Sequence, residues 1–245
     1  MKLIPAIDLL DGRCVRLLKG DFGKVTFYDS KPLDLVKNYE SMGFKNIHIV
    51  DLDATRDGKS NNGEVIEQII EKSHLKIQLG GGIRSGQDIR QWLDTGINYL
   101  IIGSFAINSF NDFYQSIKEQ DKSKIIIALD VMIENMKPIV MTHGWKESSN
   151  QSLWNLIEKF NKVGFNHYLV TDISKDGTLT GPNIDLYKQC LEKSSGSSFI
   201  GSGGVSNIQD LYQLREIGMQ ASVSGKALLE NKISKQEVFE FLQEE

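Results

Sequence analysis

The chain has 245 residues, 40% hydrophobic and 24% charged, a balance with ample material for a packed core that argues against disorder. Its formal net charge of −4, with no basic block, offers nothing to nucleic acid or to an anionic membrane surface. An anionic small molecule would have to meet positive potential supplied locally.

Eight short runs rich in Ile, Val and Leu predict strands at 2–8, 46–51, 75–79, 98–102, 124–130, 167–172, 198–201 and 220–224. Segments of helical periodicity fill the intervals at 32–42, 64–71, 87–95, 112–119, 152–163, 184–191, 208–217 and 235–243. Ser30 ahead of Lys31-Pro32, Asn207 ahead of Ile208 and Ser234 three residues before Glu237 read as helix starts. Gly43, Gly96, Gly164 and Gly218 read as left-handed helix ends. The stretches 11–30, 132–149 and 173–183 are longer than usual βα connections, so they are expected to be mobile rim loops that bind or cover something.

The chain is also written twice. Asp8 and Asp130, each ending an apolar run, lie 122 positions apart, as do Gly81-Gly82 and Gly203-Gly204, and Gly103 and Gly225. Gly43-Phe44 leading to Asp51 matches Gly164-Phe165 leading to Asp172 at an offset of 121. Eight βα units in two copies of four predict the α/β class and a (β/α)₈ TIM barrel with an internal twofold half-barrel repeat. The whole chain, 1–245, would form one barrel domain, with halves near 1–122 and 123–245. An open doubly wound sheet is the rival, but it gives no reason for equivalent residues to follow strands in both halves.

A barrel would bring Asp8 and Asp130 to one mouth, as an acid and base pair, although an aspartate after a strand also commonly caps a helix. Gly81-Gly82 with Gly103-Ser104, and Gly203-Gly204 with Gly225-Lys226, are loops whose amides could approach an anion closely. Two such sets imply two phosphates at the ends of one elongated substrate. Arg16, Arg84, Lys175 and Lys226 could add positive charge, or could be solvated surface cations. Trp145 could stack on a flat ring or pack its loop onto the rim. The four histidines make no ligand spacing, so no metal is expected. Cys14 and Cys190 stand far apart without a C-x-x-C pair, which fits a reducing compartment. The apolar start is interrupted by Asp8 and no run reaches the roughly 18 residues of a membrane helix. A soluble, unprocessed, cytoplasmic protein is expected.

Pro5-Ala6-Ile7-Asp8-Leu9, Gly12-Arg13-Cys14-Val15-Arg16-Leu17, Gly80-Gly81-Gly82-Ile83-Arg84, Ala128-Leu129-Asp130, Gly144-Trp145 and Thr171–Leu179 together resemble the phosphoribosylformimino-aminoimidazole carboxamide ribotide isomerases of histidine biosynthesis. The resemblance covers nearly the whole chain. It implies a cofactor-free Amadori rearrangement of a bisphosphorylated aminoaldose to the aminoketose. Asp8 would be the general base and Asp130 the general acid, with Thr171 assisting at the sugar. It further implies substrate contacts from Arg16, Arg84, Trp145, Asp176, Gly177 and the glycine loops, and a monomer is expected. A cyclase subunit of imidazole glycerol phosphate synthase, a dual-substrate isomerase also acting on phosphoribosylanthranilate, and a non-catalytic phosphosugar-binding module are the alternatives. Ala6 departs from the cysteine typical of the cyclase, whereas Lys175–Leu179 with Gly181-Pro182-Asn183 looks like the isomerase. Ser224 before Gly225, and 133–137 after the fifth strand, depart from the family pattern.

Overall fold

A computed structural model describes residues 1–244. Eight parallel strands close into a barrel: β1 (Lys2–Leu10), β4 (Asn46–Asp51), β5 (Lys76–Gly80), β6 (Tyr99–Ile102), β7 (Ile125–Glu134), β10 (His167–Asp172), β11 (Ser198–Ser202) and β12 (Ala221–Ser224). Each pairs with the next in that order, and β12 returns to β1 through Lys2↔Ala221 to Pro5↔Ser224. All eight coincide with the expected strands to within a few residues, and the closed ring excludes the open sheet.

The alternation along the strands divides the apolar residues into two layers. Ile4, Ala6, Ile101, Ile126, Leu169, Ile200, Ala221 and Val223 fill the barrel interior. The opposite faces, including Ile47, Ile49, Ile77, Leu79, Ile125 and Ile127, pack outward against the helices. Those helices include α1 (Pro32–Ser41), α3 (Gly63–Lys72), α4 (Gly86–Asp94), α6 (Phe110–Ser116), α7 (Leu153–Asn161), α8 (Ile184–Lys193), α9 (Ile208–Glu216) and α11 (Lys235–Gln243). Asn207 and Ser234 each close a capping box. Ser30 does not cap α1: Lys31 occupies that position without a side-chain bond, because Pro32 already presets the first turn. The four expected helix-end glycines all have left-handed φ, from 87° to 94°.

Two of the three long stretches are not irregular loops. β1 runs on past Asp8 into an antiparallel ladder with β2 (Arg13–Leu18) and β3 (Asp21–Phe27). β7 likewise runs into β8 (Lys137–Thr142) and β9 (Glu147–Ser152). The reason is local. Leu10↔Arg13, Leu18↔Asp21 and Glu134↔Lys137 flank two-residue turns, and both turn residues have positive φ in Asp11-Gly12, Lys19-Gly20 and Asn135-Met136. Turns of that hand match the twist of paired strands and so propagate a hairpin. Short helices α2 (Leu52–Asp57), α5 (Ser104–Asn108) and α10 (Lys226–Leu229) complete the loops after β4, β6 and β12. Among the described residues no helix is long and apolar enough to cross a membrane.

Candidate active site

At the C-terminal ends of the strands the barrel opens into a cavity of about 600 Å³, the position where enzymes of this architecture carry out their chemistry. Ala6, His48, Val50, Ile101, Ala128, Leu169 and Val223 form its floor, and Asp8, Asp130, Thr171 and Asp176 stand above them. Asp8 and Asp130 are therefore in one chamber. Asp8 is buried and Asp130 half-buried, and desolvation pushes both carboxyl groups above their usual range. For Asp8, Arg16 opposes the rise and Asp176 adds to it; for Asp130, hydrogen bonds from Trp145 and Thr171 oppose it.

The two hairpins supply the partners of these carboxylates. In the β1–β2 register Asp8 faces Val15, so Arg16 is next to it and donates through Nη1 to Asp8 Oδ2 at 3.0 Å. The other arm of the guanidinium donates to Asp176 Oδ1 at 2.8 Å. Burial works against the Arg16 charge, yet Asp176 and Asp8 together outweigh it and hold the guanidinium firmly protonated. From the second hairpin, Trp145 Nε1 donates to Asp130 Oδ2 at 2.8 Å. The indole covers Gly20, where a Cβ would lie 2.6 Å from the ring, so the tips of the two hairpins meet over the chamber. Trp145 thus both packs against the opposite hairpin and touches a carboxylate of the chamber.

The glycine loops fall on opposite sides. Gly81, Gly82, Arg84, Gly103 and Ser104 line the large cavity, and Ser104 Oγ accepts from the His143 amide at 2.9 Å. Arg84 donates through Nη2 to the carbonyls of Ala54 at 3.2 Å and Thr55 at 2.9 Å, bracing α2. Gly177, Gly203, Gly204, Gly225 and Lys226 instead line a separate pocket of about 20 Å³. Lys226 Nζ donates into it to the Gly177 carbonyl at 3.0 Å. Arg16 and Asp176 border both cavities. Glycine is obligatory where the loops cross: a Cβ on Gly81, at φ 97°, would fall 2.3 Å from the Asp51 carbonyl oxygen, and one on Gly204, at φ 92°, 2.3 Å from that of Gly181.

A buried polar hub sets the loop after β4. Asn62 Nδ2 donates to Asp51 Oδ1 at 2.8 Å and Asp53 Oδ2 at 2.9 Å, while its Oδ1 accepts from the Gly12 amide at 2.8 Å. Asp172 and Asn183 form a matching pair, Nδ2 to Oδ2 at 2.6 Å. Removing the amide takes one donor from each of two buried carboxylates and leaves the Gly12 amide without its acceptor. Asn62→Ala is therefore expected to cost about 1–3 kcal/mol in denaturant unfolding, with no loss in a matched surface change such as Asn38→Ala.

Sequence reasoning did not single out His48 or Ser202. His48 lies on the cavity floor opposite Ala6 and Gln78 in the strand register, its pKa pushed down to about 4 by burial and then by Arg16. The signal was its place between outward-facing Ile47 and Ile49, which turns it inward. Ser202 ends β11 and borders both cavities.

Known proteins match nearly the whole chain. The family described as "Histidine biosynthesis protein" matches residues 2–234. A relative from Elusimicrobium minutum is 44% identical over 237 residues, covering 97% of this chain and 98% of its own. Relatives from Buchnera aphidicola and Francisella philomiragia are 42% and 40% identical, covering 99% and 98% of this chain and all of their own length. All three bear the name 1-(5-phosphoribosyl)-5-((5-phosphoribosylamino)methylideneamino) imidazole-4-carboxamide isomerase. With a closed barrel, paired carboxylates at its mouth and a match over nearly its whole length, the chain belongs to the histidine biosynthesis protein family.

Proposed function

We propose that this chain is an aldose–ketose isomerase of histidine biosynthesis, converting the phosphoribosylformimino-aminoimidazole carboxamide ribotide aminoaldose to its phosphoribulosyl aminoketose. The observation that carries the reading is the pair of desolvated carboxyl groups, Asp8 and Asp130, facing one chamber between two sets of glycine loops. The relatives that bear the isomerase name support it.

The chemistry needs one donor and one acceptor. Asp130 gives its proton to the ring oxygen as the C1–O bond breaks, and the amino nitrogen lone pair forms C1=N. Asp8 takes the C2 proton, and the freed electron pair forms C1=C2 and neutralises the nitrogen. The 2-hydroxyl then loses its proton, C1 gains one, and the ketone results. C1 is reduced and C2 oxidised within one molecule, so no cofactor is needed. Burial suits both groups, because a carboxyl with a raised pKa is a better base when ionised and is available as an acid nearer neutrality. Thr171, beside Asp130 in the strand register, assists at the sugar.

The substrate's two phosphates are assigned to the loops on opposite sides: Gly81, Gly82, Arg84, Gly103 and Ser104 for one, Gly177, Gly203, Gly204, Gly225 and Lys226 for the other. We take the chain as a cytoplasmic monomer and its barrel as two halves, near 1–122 and 123–245. The halves share small devices: Asn98 Oδ1 accepts from the Ile77 amide at 2.8 Å, and Gln220 Oε1 from that of Phe199 at 2.9 Å. A coupled assay with the bisphosphorylated aminoaldose, run beside phosphoribosylanthranilate, tests the assignment. Turnover of neither compound overturns it, and turnover of both makes the enzyme a dual-substrate isomerase.

Trp145→Phe offers a finer check. The ring packing on Gly20 is kept, but Asp130 loses a donor that stabilises its ionised form, so its pKa rises. The high-pH limb of the rate profile, where the acid loses its proton, should move to higher pH. A limb that stays in place would remove Asp130 from the acid's role.

A further inference from the structure

We propose that Arg16 couples anion binding in the small pocket to the proton affinity of Asp8, so that a phosphate arriving there releases the base at the opposite end of the guanidinium. The inference rests on the isomerase reading and goes beyond it. Three observations carry it. Arg16 holds Asp8 and Asp176 at once, at 3.0 Å and 2.8 Å. Arg16 and Asp176 border both the chamber and the pocket, as do Ser202 and Val223. And the pocket, at about 20 Å³, is too small for the anion its lining suits.

That volume decides the argument. A single water needs roughly 10–15 Å³ of such space, so a tetrahedral phosphate is fully enclosed only if a wall retreats. The walls made by Gly203 and Gly204 lie against main chain: a Cβ on Gly203 would already lie 2.9 Å from the Asp172 carbonyl oxygen, and one on Gly204 2.3 Å from that of Gly181. The movable walls are Lys226, which spends its ammonium on the Gly177 carbonyl, and Arg16. Both are cations, and a guanidinium pairs with phosphate through two parallel donors at least as well as with a carboxylate. The entering anion therefore takes Lys226 from Gly177 and turns Arg16 toward itself.

The sign of the effect follows from what surrounds the base. Asp8 is faced by Arg16 and Asp176, with Cys14 beside it on β2; Arg16 is faced by Asp8, Asp176, Tyr28 and His48. Among these Arg16 is the cation that lowers Asp8. Withdrawing it leaves a buried carboxylate beside Asp176, a stronger base whose proton affinity is higher. The free enzyme thus keeps Asp8 quenched in an ion pair, and the substrate's own phosphate removes the quench.

The test is a ¹³C NMR titration of the Asp8 carboxyl in protein carrying labelled aspartate, with the signal identified through Asp8→Asn, in the absence and presence of saturating inorganic phosphate. In the wild type, phosphate should raise the midpoint by about one pH unit or more. Plain repulsion by the added anion would raise it too, and Arg16→Ala separates the two causes: the midpoint should start high without phosphate and move little on adding it. An equal phosphate shift in the wild type and Arg16→Ala overturns the coupling, as does no shift in the wild type.

If Arg16→Ala fails to fold, Lys226→Gln serves. Its midpoint without phosphate should match the wild type, and far more phosphate should be needed to move it. A response identical to the wild type would mean that the ion acts elsewhere, and the proposal fails. Because the titration needs no substrate, it is independent of the assay for isomerisation. Turnover without coupling would overturn this inference alone.

Discussion

Asp130→Asn is expected to lower turnover by about 10²–10⁴-fold, the usual contribution of a positioned proton-transfer group, while the thermal melt stays close to that of the wild type. The amide keeps the shape of the carboxyl and still accepts a hydrogen bond from Trp145 Nε1, but it has no proton to give to the ring oxygen. Asp8→Asn should lose as much activity for the complementary reason, with no acceptor for the C2 proton. The two differ in stability. Asp8 also accepts from the half-buried Arg16, whose other arm is held by Asp176, so its amide leaves one guanidinium arm with a weaker partner. Steady-state kinetics beside thermal melts checks both. A variant that keeps a substantial fraction of turnover loses its assigned role.

Gly81→Ala is expected to be strongly destabilising. The left-handed φ costs roughly 1–3 kcal/mol for a residue with a Cβ, and the Cβ would also lie 2.3 Å from the Asp51 oxygen and 2.8 Å from its nitrogen, main-chain atoms of β4 with no freedom to yield. Gly96→Ala is the control. Its φ of 87° is similarly strained, but a Cβ there meets nothing within 4 Å, so it measures the backbone term alone. Denaturant unfolding should show a clearly larger loss for Gly81→Ala. Equal losses would mean that the crossing of the β5 loop over β4 relaxes freely.

The barrel was legible because its strands are apolar on both faces: runs such as Lys124–Asp130 stand out whatever the neighbouring chain does. The hairpins were hidden for the converse reason. β3 is largely exposed and β9 reads Glu-Ser-Ser-Asn-Gln-Ser, so neither carries an alternating apolar face. The one available sign was Asp11-Gly12 between two apolar runs, a hairpin dipeptide that the length of the stretch masked. At the site, Asp8 and Asp130 could be identified from strand ends and the repeat. That Arg16 reaches Asp176, 160 positions away, could not, because no local pattern encodes a contact made by barrel closure and one hairpin's register. The division of the glycine loops between a roomy chamber and a nearly filled pocket was invisible too, since it depends on where Lys226 and Arg16 point.

The ladders that replace the expected loops also bear on how quickly a substrate can be captured. A disordered flap must surrender about 1–2 kcal/mol of backbone entropy for each residue it orders around a ligand, and that loss is deducted from affinity. In β2–β3 and β8–β9 most of this ordering has already happened during folding, through main-chain hydrogen bonds continuous with the barrel wall. The pairing is interrupted only by register shifts, between Leu17 and Leu18 and between Ile139 and Met141. A cover already paired in this way has little backbone entropy left to lose when a substrate arrives, and binding energy that a floppy cover would dissipate stays available for the chemistry.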